Sequence, residues 1–145
     1  VNGYTISTDP ARLDRDAIHR YLSEESYWAA GIARETFERS VANSLPFGLY
    51  APDGSQAGFA RVVSDFAVYA WLGDVFVLDA HRERGLGVWL VETVLAHPDL
   101  QTLRTFTLKT ADAHSLYERF GFVRATDAGR FMERHSPRKG DGAPL

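Results

Sequence analysis

The sequence predicts a mixed α+β fold: a central, mostly antiparallel sheet with helices on its faces. Three observations carry this. Short β-type runs follow one another across strong turn signals, above all Pro52-Asp53-Gly54. Two helical runs come before those strands. After them, the apolar run Val75-Phe76-Val77-Leu78 passes through a glycine-rich loop directly into an apolar helix. The resulting order is β, α, α, antiparallel strands, α, β, α, β, β, and it requires a mixed sheet with helices packed against it.

Taken in order, residues 4–7 alternate and form a first strand. Residues 14–22 form a helix with Ile18, Tyr21 and Leu22 on one face, and 34–42 form a second with Phe37 and Val41 four apart. Between them Ser26-Tyr27-Trp28 is an aromatic loop punctuated by Gly31. Pro46 precedes a strand over 47–50. The turn at 52–54 folds 56–64 back on it, and a second hairpin returns through 66–78. The main helix covers 88–96 and stops at His97-Pro98-Asp99, since the residue before proline is pushed out of the helical region. A strand over 105–110 follows, then a short helix over 112–120 capped by Asp112 or Thr110. Strands at 122–124 and 130–134 close the chain as a hairpin around Asp127 and Gly129.

At 145 residues the chain is read as one domain, over 1–135, with room for a real core. From Ser136 onward the polar, turn-rich tail (136–145) is expected to be disordered. Apolar content of 45% and charged content of 24% are those of an ordinary soluble domain. A net charge of −3 supplies no basic field for nucleic acid. No apolar stretch reaches the length of a membrane span, and no signal-type leader is visible. Neither a nucleic acid nor a membrane is therefore expected as a partner. With no cysteines, disulfides, thiolate metal sites and a cysteine nucleophile are excluded, and a cytoplasmic location is the expectation. His19, His81, His97 and His135 have no metal-ligand spacing, so no metal is expected.

The most informative stretch is Arg82-x-x-Gly85-x-Gly87, after the strand and at the helix start. Backbone N–H groups there have no intrahelical partner, and the helix dipole adds partial positive charge, so the place suits a phosphate or pyrophosphate. A Walker loop is excluded because Val88 and Trp89 follow Gly87. A dinucleotide fingerprint is excluded because Leu90 stands where a third small residue is needed. Read by itself, the hexapeptide is equally a turn that caps a helix. It resembles the acyl-CoA pyrophosphate loop of the GNAT superfamily of N-acetyltransferases. A second segment, Leu116-Tyr117-Glu118-Arg119-Phe120-Gly121-Phe122, resembles the Leu-Tyr-x-x-x-Gly-Phe signature that closes that family's core. Order, separation and the intervening strand agree, over at least 62–122.

The resemblance implies a GNAT fold whose sheet splays at the cofactor site, and acetyl transfer from acetyl-CoA to a primary amine. Val75, Phe76 and Val77 would meet the pantetheine arm through their backbone, as an added strand would. Glu83, Arg84, Gly85, Leu86, Gly87 and Val88 would surround the pyrophosphate. Arg82 would position the loop or meet a phosphate, its guanidinium being suited to bidentate anion contacts. Thr110 takes the place of the family's pantetheine-binding asparagine. Tyr117 would return a proton to the CoA thiolate; a phenol with a pKa near ~10 suits that task. Asp74, on the strand before the loop, is the candidate base, with deprotonating an amine, orienting it and capping the strand as its open roles. It shares a face with Phe76, opposite Val75 and Val77. His114, three residues before Tyr117, is a second candidate base.

The acceptor is expected from the N-terminal half, with the Tyr27-Trp28 pair as the pocket, since an aromatic face attracts a cation. A small-molecule amine is the first expectation. Acetylation of a protein or peptide is an alternative, as are a non-catalytic acyl-CoA sensor and a plain structural α+β domain. A homodimer is a frequent state in the family.

Overall fold

The computed structural model describes residues 2–136, so the expected tail lies, apart from Ser136, outside the described residues. Among the described residues the chain divides into two compact units, the first ending at Ala111 and the second beginning at Asp112.

The first unit is built on a five-stranded sheet in the order β1 to β5: β1 (Thr5–Ser7), β2 (Leu45–Tyr50), β3 (Gln56–Ser64), β4 (Tyr69–Val77) and β5 (Thr105–Leu108). Neighbours are antiparallel except β4 and β5, which run parallel. Pro46 lies inside β2, opposite Arg61, rather than before it. At that point β1 does not reach β2, so the missing N–H costs no ladder bond on that side.

One face of the sheet carries α1 (Arg15–Arg20) and α2 (Arg34–Ala42). Asp14 caps α1 by accepting from the Ala17 N–H at 3.1 Å. The helix expected over 14–22 changes at Tyr21 into a π-helical turn, Tyr21–Glu25. Leu13, Ile18, Tyr21, Leu22, Phe37, Val41, Phe59 and Phe76 form the core on this face. A second cluster, Leu49, Ala51, Ala57 and Leu86, includes the first residue of α3 (Leu86–Leu95), with Val77 and Trp89 packed against it.

Two features of β4 position the site. Its first half, Tyr69 to Leu72, pairs with β3 and with β5. From Gly73 to Val77 it pairs with β3 only, and no strand lies on its other side among the described residues. Between the halves sits a bulge: Phe59 opposes Phe76 and Arg61 opposes Gly73, so Asp74 and Val75 on β4 face the single residue Ala60. Asp74 adopts φ of 53°, a left-handed conformation that a non-glycine residue takes up under constraint.

In the second unit, α4 (His114–Glu118) is shorter than the helix expected over 112–120. Its N-cap position is held by Ala113, not by Asp112 or Thr110, and alanine has no side chain to cap with. The strands expected at 122–124 and 130–134 do not form. Instead, a 3-10 turn at Ala128–Arg130 takes the N–H groups of Arg130 and Phe131, and Val123, Phe131 and Met132 are exposed. A strand needs a half-buried face to pack, and these short apolar runs among charged residues supply none.

Candidate functional site

The chain enters α3 through a loop with two left-handed residues, Glu83 (φ 62°) and Gly85 (φ 75°). Gly85 is the N-cap, and it has no side chain to satisfy the first turn. The first α3-type bond runs from the Trp89 N–H to the Gly85 carbonyl at 3.2 Å. The N–H groups of Leu86, Gly87 and Val88 thus have no acceptor among the described residues, and the helix dipole adds to their positive potential. Arg84 is exposed beside them, on the rim of a cavity of about 380 Å³ lined also by Asn2, Tyr4, Pro52 and Leu86.

Arg82 is committed to the scaffold. Its Nε donates to the Val77 carbonyl at 2.9 Å, Nη1 pairs with Asp79 at 2.5 Å, and Nη2 donates to the Tyr21 hydroxyl at 3.3 Å. Of its two expected roles, this geometry gives it loop positioning. It also joins the end of β4 to the π turn. The Tyr21 ring stacks on Phe76 at 4.0 Å between centroids. Burial pushes the Tyr21 phenol above its ordinary pKa, with the Arg82 guanidinium pulling the other way. Tyr21 reads in sequence as one more apolar position on a helix face, and nothing in the pattern shows its contact with a loop sixty residues away.

The aromatic loop continues from this stack. Trp28 lies 6.4 Å from Tyr21, and Tyr27 meets Trp28 edge-on at 5.1 Å. Both ends are pinned. Trp28 Nε1 donates to Asp74 Oδ1 at 2.9 Å, and the Tyr27 hydroxyl accepts from the Ala111 N–H at 3.1 Å. The rings stay accessible, Tyr27 at 58% and Trp28 at 39%. Phe76, Tyr21, Trp28 and Tyr27 therefore form a continuous aromatic wall, from the unpaired half of β4 to the loop after β5.

Asp74 has both carboxylate oxygens engaged. Oδ2 accepts from Arg61 Nε at 2.8 Å while Oδ1 holds Trp28. The ion pair is largely sheltered, with side-chain exposures of 18% for Arg61 and 10% for Asp74. The Asp74 carboxylate lies on the Phe76 face as expected, but through the bulge, which brings Gly73 to that face as well. Val75 and Val77 are half-buried, and Thr110 is half-buried just beyond β5.

Tyr117 belongs to the second unit. It is 8% exposed, on α4, with its ring against the edge of Phe122 at 5.9 Å. His114 lies on the same short helix, its Nε2 3.4 Å from Arg124 Nη1. Among the described residues no three histidine, aspartate or glutamate side chains gather as a metal site, and no helix is long and apolar enough to cross a membrane.

The family model for the acetyltransferase (GNAT) domain matches residues 46–124. The chain belongs to the GNAT acetyltransferases. That span includes the open half of β4, the glycine loop and Tyr117. A crystal structure of a GNAT-family protein from Xanthomonas campestris pv. campestris is 48% identical, with a TM-score of 0.89, over 92% of this chain and 94% of that one. A Gibberella zeae protein named as an acetyltransferase is 30% identical over 79% of this chain and 75% of its own length. The ribosomal-protein-S18-alanine N-acetyltransferase of Escherichia coli is 26% identical with a TM-score of 0.66, over 85% of this chain and 79% of that one. As a GNAT acetyltransferase the chain is an acetyl-CoA-dependent enzyme with the expected mixed, mostly antiparallel sheet.

Proposed function

We propose that this GNAT enzyme acetylates the primary amine of a small molecule, by direct attack of the amine within a ternary complex. The observation that carries the reading is the open side of β4 from Gly73 to Val77, with unsatisfied helix N–H groups at one end and the aromatic wall of Tyr27 and Trp28 beside it. Acetyl-CoA supplies the activated acetyl group as a thioester.

The residues present fit it. On the β5 side no strand among the described residues pairs with Val75, Phe76 and Val77, and although the Val77 carbonyl already accepts from Arg82, the edge suits an extended chain. The N–H groups of Leu86, Gly87 and Val88 suit a pyrophosphate. Trp28 and Tyr27 offer ring faces to an ammonium before it loses its proton. As the neutral amine nitrogen bonds to the acetyl carbon and the C–S bond breaks, the phenol of Tyr117 gives its proton to the departing sulfur, and the proton shed by the nitrogen restores the phenol. This role rests on the motif in which Tyr117 stands. Asp74 is proposed as a positioning residue, because its oxygens already hold Arg61 and Trp28.

A second reading, acetylation of a protein N-terminus, draws on the similarity to the Escherichia coli enzyme for ribosomal protein S18. The first test is thermal stability with acetyl-CoA, CoA, NAD and ATP added separately. A ligand at a hundred times its dissociation constant adds about 2.7 kcal/mol. The reading requires a shift with the two CoA species alone. A thiol-release assay with small amines and with peptides then separates the two acceptors, and absence of any CoA shift refutes both.

A further inference from the structure

Regular pairing gathers three residues of β4 and β3 at one spot, and the bulge adds Asp74 to the same face. Gly73 is the cross-strand partner of Arg61, and it stands two residues after Trp71, so both side chains flank it on the same side. Arg61 uses two of its three nitrogens: Nε on Asp74 at 2.8 Å and Nη1 on Ser44 Oγ at 3.1 Å. Nη2 of Arg61 and the indole N–H of Trp71 have no acceptor among the described residues. Both lie against the same point. A Cβ placed on Gly73 would sit 2.9 Å from Trp71 Nε1 and 3.8 Å from Arg61 Nη2. The absence of a side chain at Gly73 is what lets the indole nitrogen come that close, at the start of the unpaired half of β4.

The chemistry of the spot is one-sided. It presents two donors, one of them charged, and the carboxylate of Asp74 beside it is already held by Arg61 and Trp28. With Arg61 sheltered from water, its remaining N–H groups are worth more than on the surface. The Arg61–Asp74 pair as a whole is neutral. A simple anion or a simple cation therefore meets no net charge, whereas a molecule with both signs a few atoms apart can lie against the pair with each end opposite its complement.

Resting on the acetyl-transfer reading above, we propose that the acceptor is a free amino acid, its carboxylate bound by Arg61 Nη2 and Trp71 Nε1 beside Gly73 and its amine on the Asp74–Trp28 side. A peptide N-terminus has an amide where this site needs a carboxylate.

The test uses the full chain and acetyl-CoA in a thiol-release assay, with the common amino acids set against their carboxamides. For the favoured amino acid, kcat/KM should exceed that of its amide by about tenfold or more, the worth of a hydrogen bond to a charged partner. Trp71→Phe, which leaves the Arg61–Asp74 pair in place, and Arg61→Gln should each bring the ratio toward one. An acetyl-CoA thermal shift checks that each variant is folded and binds cofactor. Amides used as well as or better than acids, or a ratio unmoved by both substitutions, would overturn the inference and leave acetyl transfer standing. Silence from both series, with CoA still bound, would overturn the acetyl-transfer reading and this inference with it.

Discussion

The two halves of β4 are one strand treated in two ways. From Tyr69 to Leu72 it is bonded on both sides, to β3 and β5, with Ala70 and Leu72 buried. From Gly73 to Val77 it pairs, among the described residues, with a strand on one side only. The bulge at Asp74 marks the change, and it reverses the parity of the strand. Trp71, Gly73, Asp74 and Phe76 share one face, which regular alternation forbids. The paired half is ordinary sheet. The open half withholds backbone bonds from the protein and collects polar side chains, which suits it to a ligand.

The comparison can be broken most severely at the chemistry. Tyr117→Phe should lower kcat about 10²-fold, within the range for losing a general acid, while CoA still raises the melting temperature. An undiminished kcat would leave the open half a binding site without the proposed proton donor. Next come paired substitutions in the two halves. Leu72→Ala, at a 2% exposed site in the paired half, should cost about 3 kcal/mol in denaturant unfolding and leave CoA affinity unaltered. Asp74→Ala should also cost about 3 kcal/mol, by stranding Arg61, but should in addition raise KM for the acceptor as Trp28 loses its anchor. Equal functional effects from the two would erase the distinction between the halves.

A smaller effect concerns the hairpin that leads into the paired half. The N–H groups of Ala67, Val68 and Tyr69 all donate to Asp65 Oδ1, which holds that carboxyl below its ordinary pKa. A depressed folded value means that its contribution is complete above the ordinary carboxylate value and is lost as pH falls through the folded one. Amide exchange at 67–69 should therefore accelerate, relative to the rest of the sheet, only in strongly acidic solution, and Asp65→Asn should remove that dependence. The smallest effect lies away from β4 altogether. The Tyr50 hydroxyl is buried with no hydrogen-bond partner among the described residues, so Tyr50→Phe should leave thermal stability equal or slightly higher.

Much of this was legible in the sequence. Gly85 and Gly87 after an apolar strand predict a loop with exposed N–H groups, and α2 and β3 have the expected bounds because their apolar spacing and flanking turns agree. The π turn at Tyr21 was not legible, since its residues keep an apolar helical pattern. Neither was the bulge. Asp74 and Phe76 alternate correctly, and only the pairing with β3 reveals the extra residue that puts Gly73 and Trp71 on the side of Asp74 and Phe76. The anchoring of Trp28 by Asp74 spans 46 positions, and no local signal reports so distant a partner. At the C-terminal end, short apolar runs at 122–124 and 130–134 resemble strands in composition but bury too little to form them.

Hydrogen exchange along β4, with and without acetyl-CoA, reads out which half of the strand meets the cosubstrate. In the free protein the amides of the open half that β3 does not engage should exchange quickly, and those of the paired half slowly. Acetyl-CoA should protect the open half together with residues 86–88, and leave 69–72 unaltered. Protection that spares 73–77, or that falls equally on both halves, would contradict the account.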